Sequence, residues 1–148
     1  MPTTLFEAPQ YDPVREKRRK QKIAGALALL IILIGIAWLF RNYPEERVVG
    51  HFFSALKNKD FEKAYGIWVA DANWKQHSQE HKRYPFNEFL LDWGPSGEWG
   101  VINSYKIDGT TNPKGGSGVI VQVTINDRKE PARVWVEKSD KSLTFSPY

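Results

Sequence analysis

The stretch Phe52–Trp68, FFSALKNKDFEKAYGIW, decides the fold. Its first part continues a pattern begun at Val48, in which Val48, Phe52 and Leu56 recur every four residues with Val49 and Phe53 beside them. That spacing predicts one amphipathic helix, started by Pro44 in a first turn and by Glu45 and Glu46 at the positive end of its dipole. The polar KNKD interrupts the pattern, Asp60 suits an N-cap, and Phe61, Ala64, Tyr65 and Trp68 then share a face at helical spacing. Two short helices joined by a tight turn are therefore expected, each with one apolar side to bury.

Downstream, after an indistinct stretch from about Ala70 to Arg83, Pro85 opens a third periodic set. It comprises Phe86, Phe89, Leu90 and Trp93, and Gly94 and Pro95 end it. From Val101 the period changes to two. Val119, Val121, Val123 and Ile125 alternate with Ile120, Gln122, Thr124 and Asn126, and VINSYKI, ARVWVEK and LTFSP are shorter runs of the same kind. Four strands joined by TNPKGGSG, NDRKEP and SDKS predict an antiparallel meander, with two or three helices covering one face as an α+β layer.

Upstream lies a different kind of segment. Ile23 to Phe40 carries no charged side chain, and a helix of that length spans roughly 27 Å, close to the hydrocarbon thickness of a bilayer. The reading is a single transmembrane helix over 23–41. Lys22 and Arg41 are placed to snorkel, and Trp38 and Tyr43 to sit at the far interface. Arg15, Lys17, Arg18, Arg19, Lys20 and Lys22 precede it, whereas Arg41 and Arg47 follow it among Glu45 and Glu46. This bias predicts a signal-anchor in the plasma (inner) membrane with a cytoplasmic N-terminus and a periplasmic or extracellular C-terminal domain. A cleavable signal peptide competes, because Gly35 and Ala37 are small residues before Trp38; the long apolar run and long basic leader favour retention. Residues 1–22, with three prolines and a basic end, read as a disordered cytoplasmic tail. Its cations attract anionic lipid or a cytoplasmic partner, or serve only as a topology signal. Ala24 and Ala28 offer small surfaces for helix contact, a weak pattern.

Composition sets limits on function. The net charge of +4 comes mostly from the leader: residues 1–22 hold six Lys/Arg against three acids, and residues 41–148 hold fifteen against fourteen. A nearly neutral domain argues against nucleic-acid binding. The absence of cysteine excludes disulfides, thiol nucleophiles and Cys-zinc sites. His77 and His81 are four apart in HSQEH, but without the glutamate placement of a metalloprotease signature they read as a solvated pair, and no metal or cofactor is expected. His51 reads as a half-exposed surface residue. Asp92 would serve as a base only if it faced an apolar pocket; the plainer placement is toward water or capping the Gly94 turn.

The order of ALKNKDFEKAY, FNEFLLDW and the later strands resembles the nuclear-transport-factor-2-like superfamily, a cone-shaped cystatin-like α+β fold, over about residues 45–148. FLLDWGPSGEWGVINSYKI is similar to the helix-to-strand passage of some membrane-tethered bacterial envelope domains. The resemblance implies helices over the mouth of a bent sheet, with Phe53, Tyr65, Trp68 and Trp93 lining or plugging the space between. It implies an acid and a tyrosine deep in the cone of isomerase-type members, for which Asp92, Tyr65 and Tyr105 are the candidates here. Because the superfamily also contains dehydratases, transport factors and secretion-system scaffolds, fold alone licenses no activity. The favoured function is a non-catalytic binding or accessory subunit of an envelope complex, docking a protein partner or a second copy through the sheet's outer face at Ile120, Gln122, Thr124 and Trp135, with Tyr105 as a further candidate there. The alternative is a small-ligand carrier or isomerase-like enzyme that uses the cone's interior.

Overall fold

A computed structural model describes residues 12–148. The chain divides into two compact units, Met1–Arg41 and Asn42–Tyr148. In the first, helix α1 runs Pro13–Leu39, and every one of its described side chains outside Glu16 is exposed. It is the one helix among the described residues long and apolar enough to cross a membrane. The helix starts ten residues before the apolar run, so residues 13–22 are helical rather than part of an irregular tail. The physical reason lies at Asp12 and Pro13: the Asp12 carboxylate accepts from the Val14 and Arg15 amides at 2.9 and 3.2 Å, and proline at the first position needs no amide partner. Residues 1–11, the remainder of the expected tail, lie outside the described residues.

The second unit is built from α2 (Tyr43–Lys57), α3 (Phe61–Trp68), α4 (Phe86–Trp93) and strands β1 (Tyr105–Thr111), β2 (Gly118–Ile125), β3 (Ala132–Glu137) and β4 (Leu143–Phe145). The α2–α3 turn closes as the sequence implies. Lys59 takes a left-handed conformation, φ 60°, which lets the Asp60 amide bond back to the Ala55 carbonyl at 2.9 Å while the Asp60 side chain caps Lys63. The strands form an open antiparallel sheet in the order β1-β2-β3-β4. The run VINSYKI yields a strand only from Tyr105. Asn126 explains the delay: its side chain accepts from the Asn103 and Ser104 amides and donates to the Val101 carbonyl, holding residues 101–104 as a bonded loop.

Register sorts the sheet's faces. Val119, Val121, Val123 and Ile125 pair with Val136, Val134, Ala132 and Tyr105 and point toward the helices; all four are fully buried. Ile120, Gln122 and Thr124 pair with Trp135, Arg133 and Lys106 on the opposite face. A register shift between Ile107 and Gly109 leaves Asp108 as a bulge, which bends β1 at the sheet's edge. Helix α2 lies against β1, β2 and β3, α3 packs beside α2 and reaches β4, and α4 packs on α3.

Candidate functional site

The space between helices and sheet is occupied by rings. Phe52 stands within 5.1–5.2 Å of Phe53, Trp68 and Trp93, ring centre to ring centre, and 6.1 Å from Phe89. Trp93 in turn stacks on Phe145 at 5.9 Å with the planes parallel to within 1°. Edge-to-face and offset pairs of this kind add about 0.5–1.5 kcal/mol each beyond their burial. Beside Trp93 a space of about 10 Å³ remains, lined by Leu56, Phe61 and Ile102 among others. Of the residues expected to line or plug an interior pocket, Phe53, Trp68 and Trp93 plug it. The Trp93 indole nitrogen is buried with no acceptor among the described residues.

The proposed acid and tyrosines do not converge. Tyr65 is buried and donates its hydroxyl to the Tyr84 carbonyl at 2.7 Å, and burial holds its pKa above the usual range. Tyr105 stacks on Phe53 at 5.6 Å and donates to the Gly50 carbonyl at 3.1 Å. It faces the helices, not the outer sheet surface, because it pairs with Ile125 in the inward set. Asp92 neither faces water freely nor caps the Gly94 turn: its Oδ2 accepts from the Tyr84 hydroxyl at 2.7 Å. Burial, together with the negative Asp92, raises the Tyr84 pKa strongly. Tyr84 therefore joins the two groups as a neutral donor, and sequence reasoning had left it unnamed within a segment without periodicity.

That segment holds a second unexpected cluster. His77 is exposed and His81 half-buried, and the two share a partner: His77 Nδ1 and His81 Nε2 both approach Asp71 Oδ2, at 2.8 and 3.0 Å. An ionised carboxylate only accepts, so both rings present N–H to one oxygen. The bonds from His81 and then His77 hold the Asp71 carboxyl down at about 2, and the bond to Asp71 raises the His77 pKa. The i, i+4 spacing is the visible signal, but the partner Asp71 lies six residues upstream in a turn. The clasp ties residues 71–81 beside α3, where Trp74 packs on Tyr65 at 4.8 Å and bonds to the Glu62 carbonyl. Between α3 and this segment runs a groove of about 660 Å³, lined by Asp60, Ile67, Asp71, Trp74, Lys75 and neighbours. Among the described residues no group of three or more histidine, cysteine or acidic side chains stands as a metal-holding set. His51 is exposed and accepts loosely from Arg47.

The outer sheet face is the remaining surface. Ile120 is only 6% exposed, covered at its level by the cross-strand Trp135. The Trp135 ring lies so close over Gly116 and Gly118 that a β-carbon at Gly118 would fall 2.5 Å from it, and the Tyr148 ring lies 6.2 Å away, centre to centre. Around this centre Gln122 and Thr124 are half-buried, Arg133 and Lys106 are exposed, and Thr124 donates to Asp108 at 2.6 Å. In the first unit, Arg41 lies 5.6 Å over the Trp38 ring, and Lys22, Trp38 and Arg41 are all exposed. Against protein-family models, curated proteins and solved structures, the chain gives no match.

Proposed function

We propose that this chain is a single-pass membrane protein whose C-terminal unit, of the nuclear-transport-factor-2-like kind, is a non-catalytic binding module outside the cytoplasm. The observation that carries this reading is the ring cluster of Phe52, Phe53, Trp68, Phe89 and Trp93, which fills the place where a cone-shaped enzyme of that superfamily would hold a substrate. A space of about 10 Å³ is at the lower limit of what admits a single water, about 10–15 Å³. The exposed, uncharged run Ile23–Leu39 of α1 supports the anchor, since such a surface is stable only in lipid or against another apolar surface.

The docking surface in this reading is the outer sheet face. Its half-covered Trp135 is a rigid aromatic anchor, and the exposed cations Arg133 and Lys106 flank the Gln122–Thr124 row. An aromatic centre bordered by cations suits a partner protein that offers carboxylates beside an apolar patch. The test replaces the exposed Arg133 and Lys106 together with glutamate, which reverses the cations flanking the row and keeps the inward valines untouched. Crosslinked complexes in native membranes should be lost while thermal unfolding is nearly unchanged. Complexes that survive this change but disappear on altering Tyr65 or Asp92 in a still-folded chain would replace sheet docking with a pocket.

A further inference from the structure

Helix α1 places its leader cations on a defined face. At about 100° per residue, Arg15, Arg18, Arg19 and Lys22 fall within an arc of about 100°, while Lys17 and Lys20 project from the other side. Lys20 is paired with Glu16 at 2.9 Å. Among the described residues the four on the stripe have no comparable ion pair: the one carboxylate within 4.0 Å of them is Asp12, beside an Arg15 side chain that is 91% exposed. Instead they share a concavity of about 560 Å³ whose fifth wall is Ile23, the first apolar residue of the run.

We infer that this stripe is a binding site for the phosphate headgroups of anionic phospholipids, a reading that rests on α1 entering the membrane. Two observations fix the ligand class. Guanidinium groups bind phosphate oxygens in bidentate fashion, and four cations around one concavity favour a phosphodiester with no ammonium of its own, hence a net negative headgroup, over a zwitterionic one. The stripe also ends against Ile23, which lets a bound lipid keep its chains along the apolar helix while its headgroup meets the cations. From Arg15 to Lys22 the helix rises about 10 Å, comparable to a headgroup layer.

The test uses the full chain in vesicles of phosphatidylcholine alone or mixed with phosphatidylglycerol, with retained lipids counted by native mass spectrometry. Wild type should retain phosphatidylglycerol in preference to phosphatidylcholine, with a loss of about fivefold in that preference for each stripe cation replaced by glutamine. The control Lys17→Gln/Lys20→Gln should keep most of it. Equal losses in control and stripe variants would overturn the inference in favour of diffuse charge, and displacement of the lipid by inorganic phosphate would reassign the site to a soluble anion. Flotation on phosphatidylcholine alone separates the two levels. A chain that fails to float loses its span, whereas one that floats without anionic preference loses only this site.

Discussion

Glu45 shows what a single residue contributes that periodicity does not announce. Read from the sequence it is a first-turn acid at a helix N-terminus, a position where acids favour the dipole and usually face water. In the fold it is 4% exposed, and its Oε1 accepts from Lys141 Nζ at 3.0 Å, across 96 positions of chain. Nothing local distinguishes Glu45 from Glu46, because the partner sits in the SDKS turn that only the β3–β4 hairpin brings near. The pair closes asymmetrically: Oε2 is buried without a donor, so Lys141 supplies the carboxylate's one side-chain contact among the described residues. Lys141→Met should then lower the unfolding free energy in urea by about 2 kcal/mol, the cost of leaving a buried charged group unpaired. Adding Glu45→Met should restore most of that loss, since two packed apolar groups replace the pair. An unchanged Lys141→Met midpoint would mean that the carboxylate is solvated and that this account of the α2 start is wrong.

Among the elements, the helices and strands with strong periodicity were legible and the irregular 70–84 segment was not. Caps and turns at Pro44, Asp60 and Pro85 sit where their backbone chemistry requires them, and the valine alternation of β2 alone fixes which face meets the helices. The aromatic sets of α2, α3 and α4 were visible as stripes, but whether rings line a cavity or fill it depends on volumes that spacing does not encode. Tyr84, Asp92 and the Asp71 clasp were hidden for another reason: each joins residues through side-chain bonds in turns, without any repeat. The clasp has a definite pH dependence. The Asp71 pKa is depressed to about 2, so its contribution is present above the unfolded value near about 3.9 and is lost as pH falls toward 2. The His77 pKa is raised, so its contribution is complete below about 6.5 and is lost as pH rises through the higher folded value. The groups facing His77 are Asp71 and Glu80, and His81 lies edge-on to Tyr65 at 6.4 Å. Amide exchange in residues 70–84, corrected for intrinsic rate, should be slowest between about pH 4 and 6.5 and quicken above that window. Asp71→Asn should flatten this profile while leaving exchange in β2 unchanged. A profile that stays pH-dependent in Asp71→Asn would assign the effect elsewhere.

For the molecule as a whole, an apolar helix bearing a cationic stripe is joined in one chain to a domain whose interior is full of rings. Such a combination has its free surfaces for recognition outside the core: the cationic stripe, the groove beside α3, and the outer sheet face. The central claim is that the last of these docks a partner protein. It is tested most directly by placing a photo-crosslinking side chain at one position at a time in the full chain within native membranes. Gln122 and Arg133 probe the outer sheet face, Lys75 the groove, and the exposed Leu91 the far side of α4. The account predicts that Gln122 and Arg133 yield the same discrete protein adduct, that Lys75 and Leu91 do not, and that Trp135→Ser in a folded chain abolishes it. The same adduct arising from Lys75, with none from Gln122 or Arg133, would contradict sheet docking and move the binding site to the α3 groove.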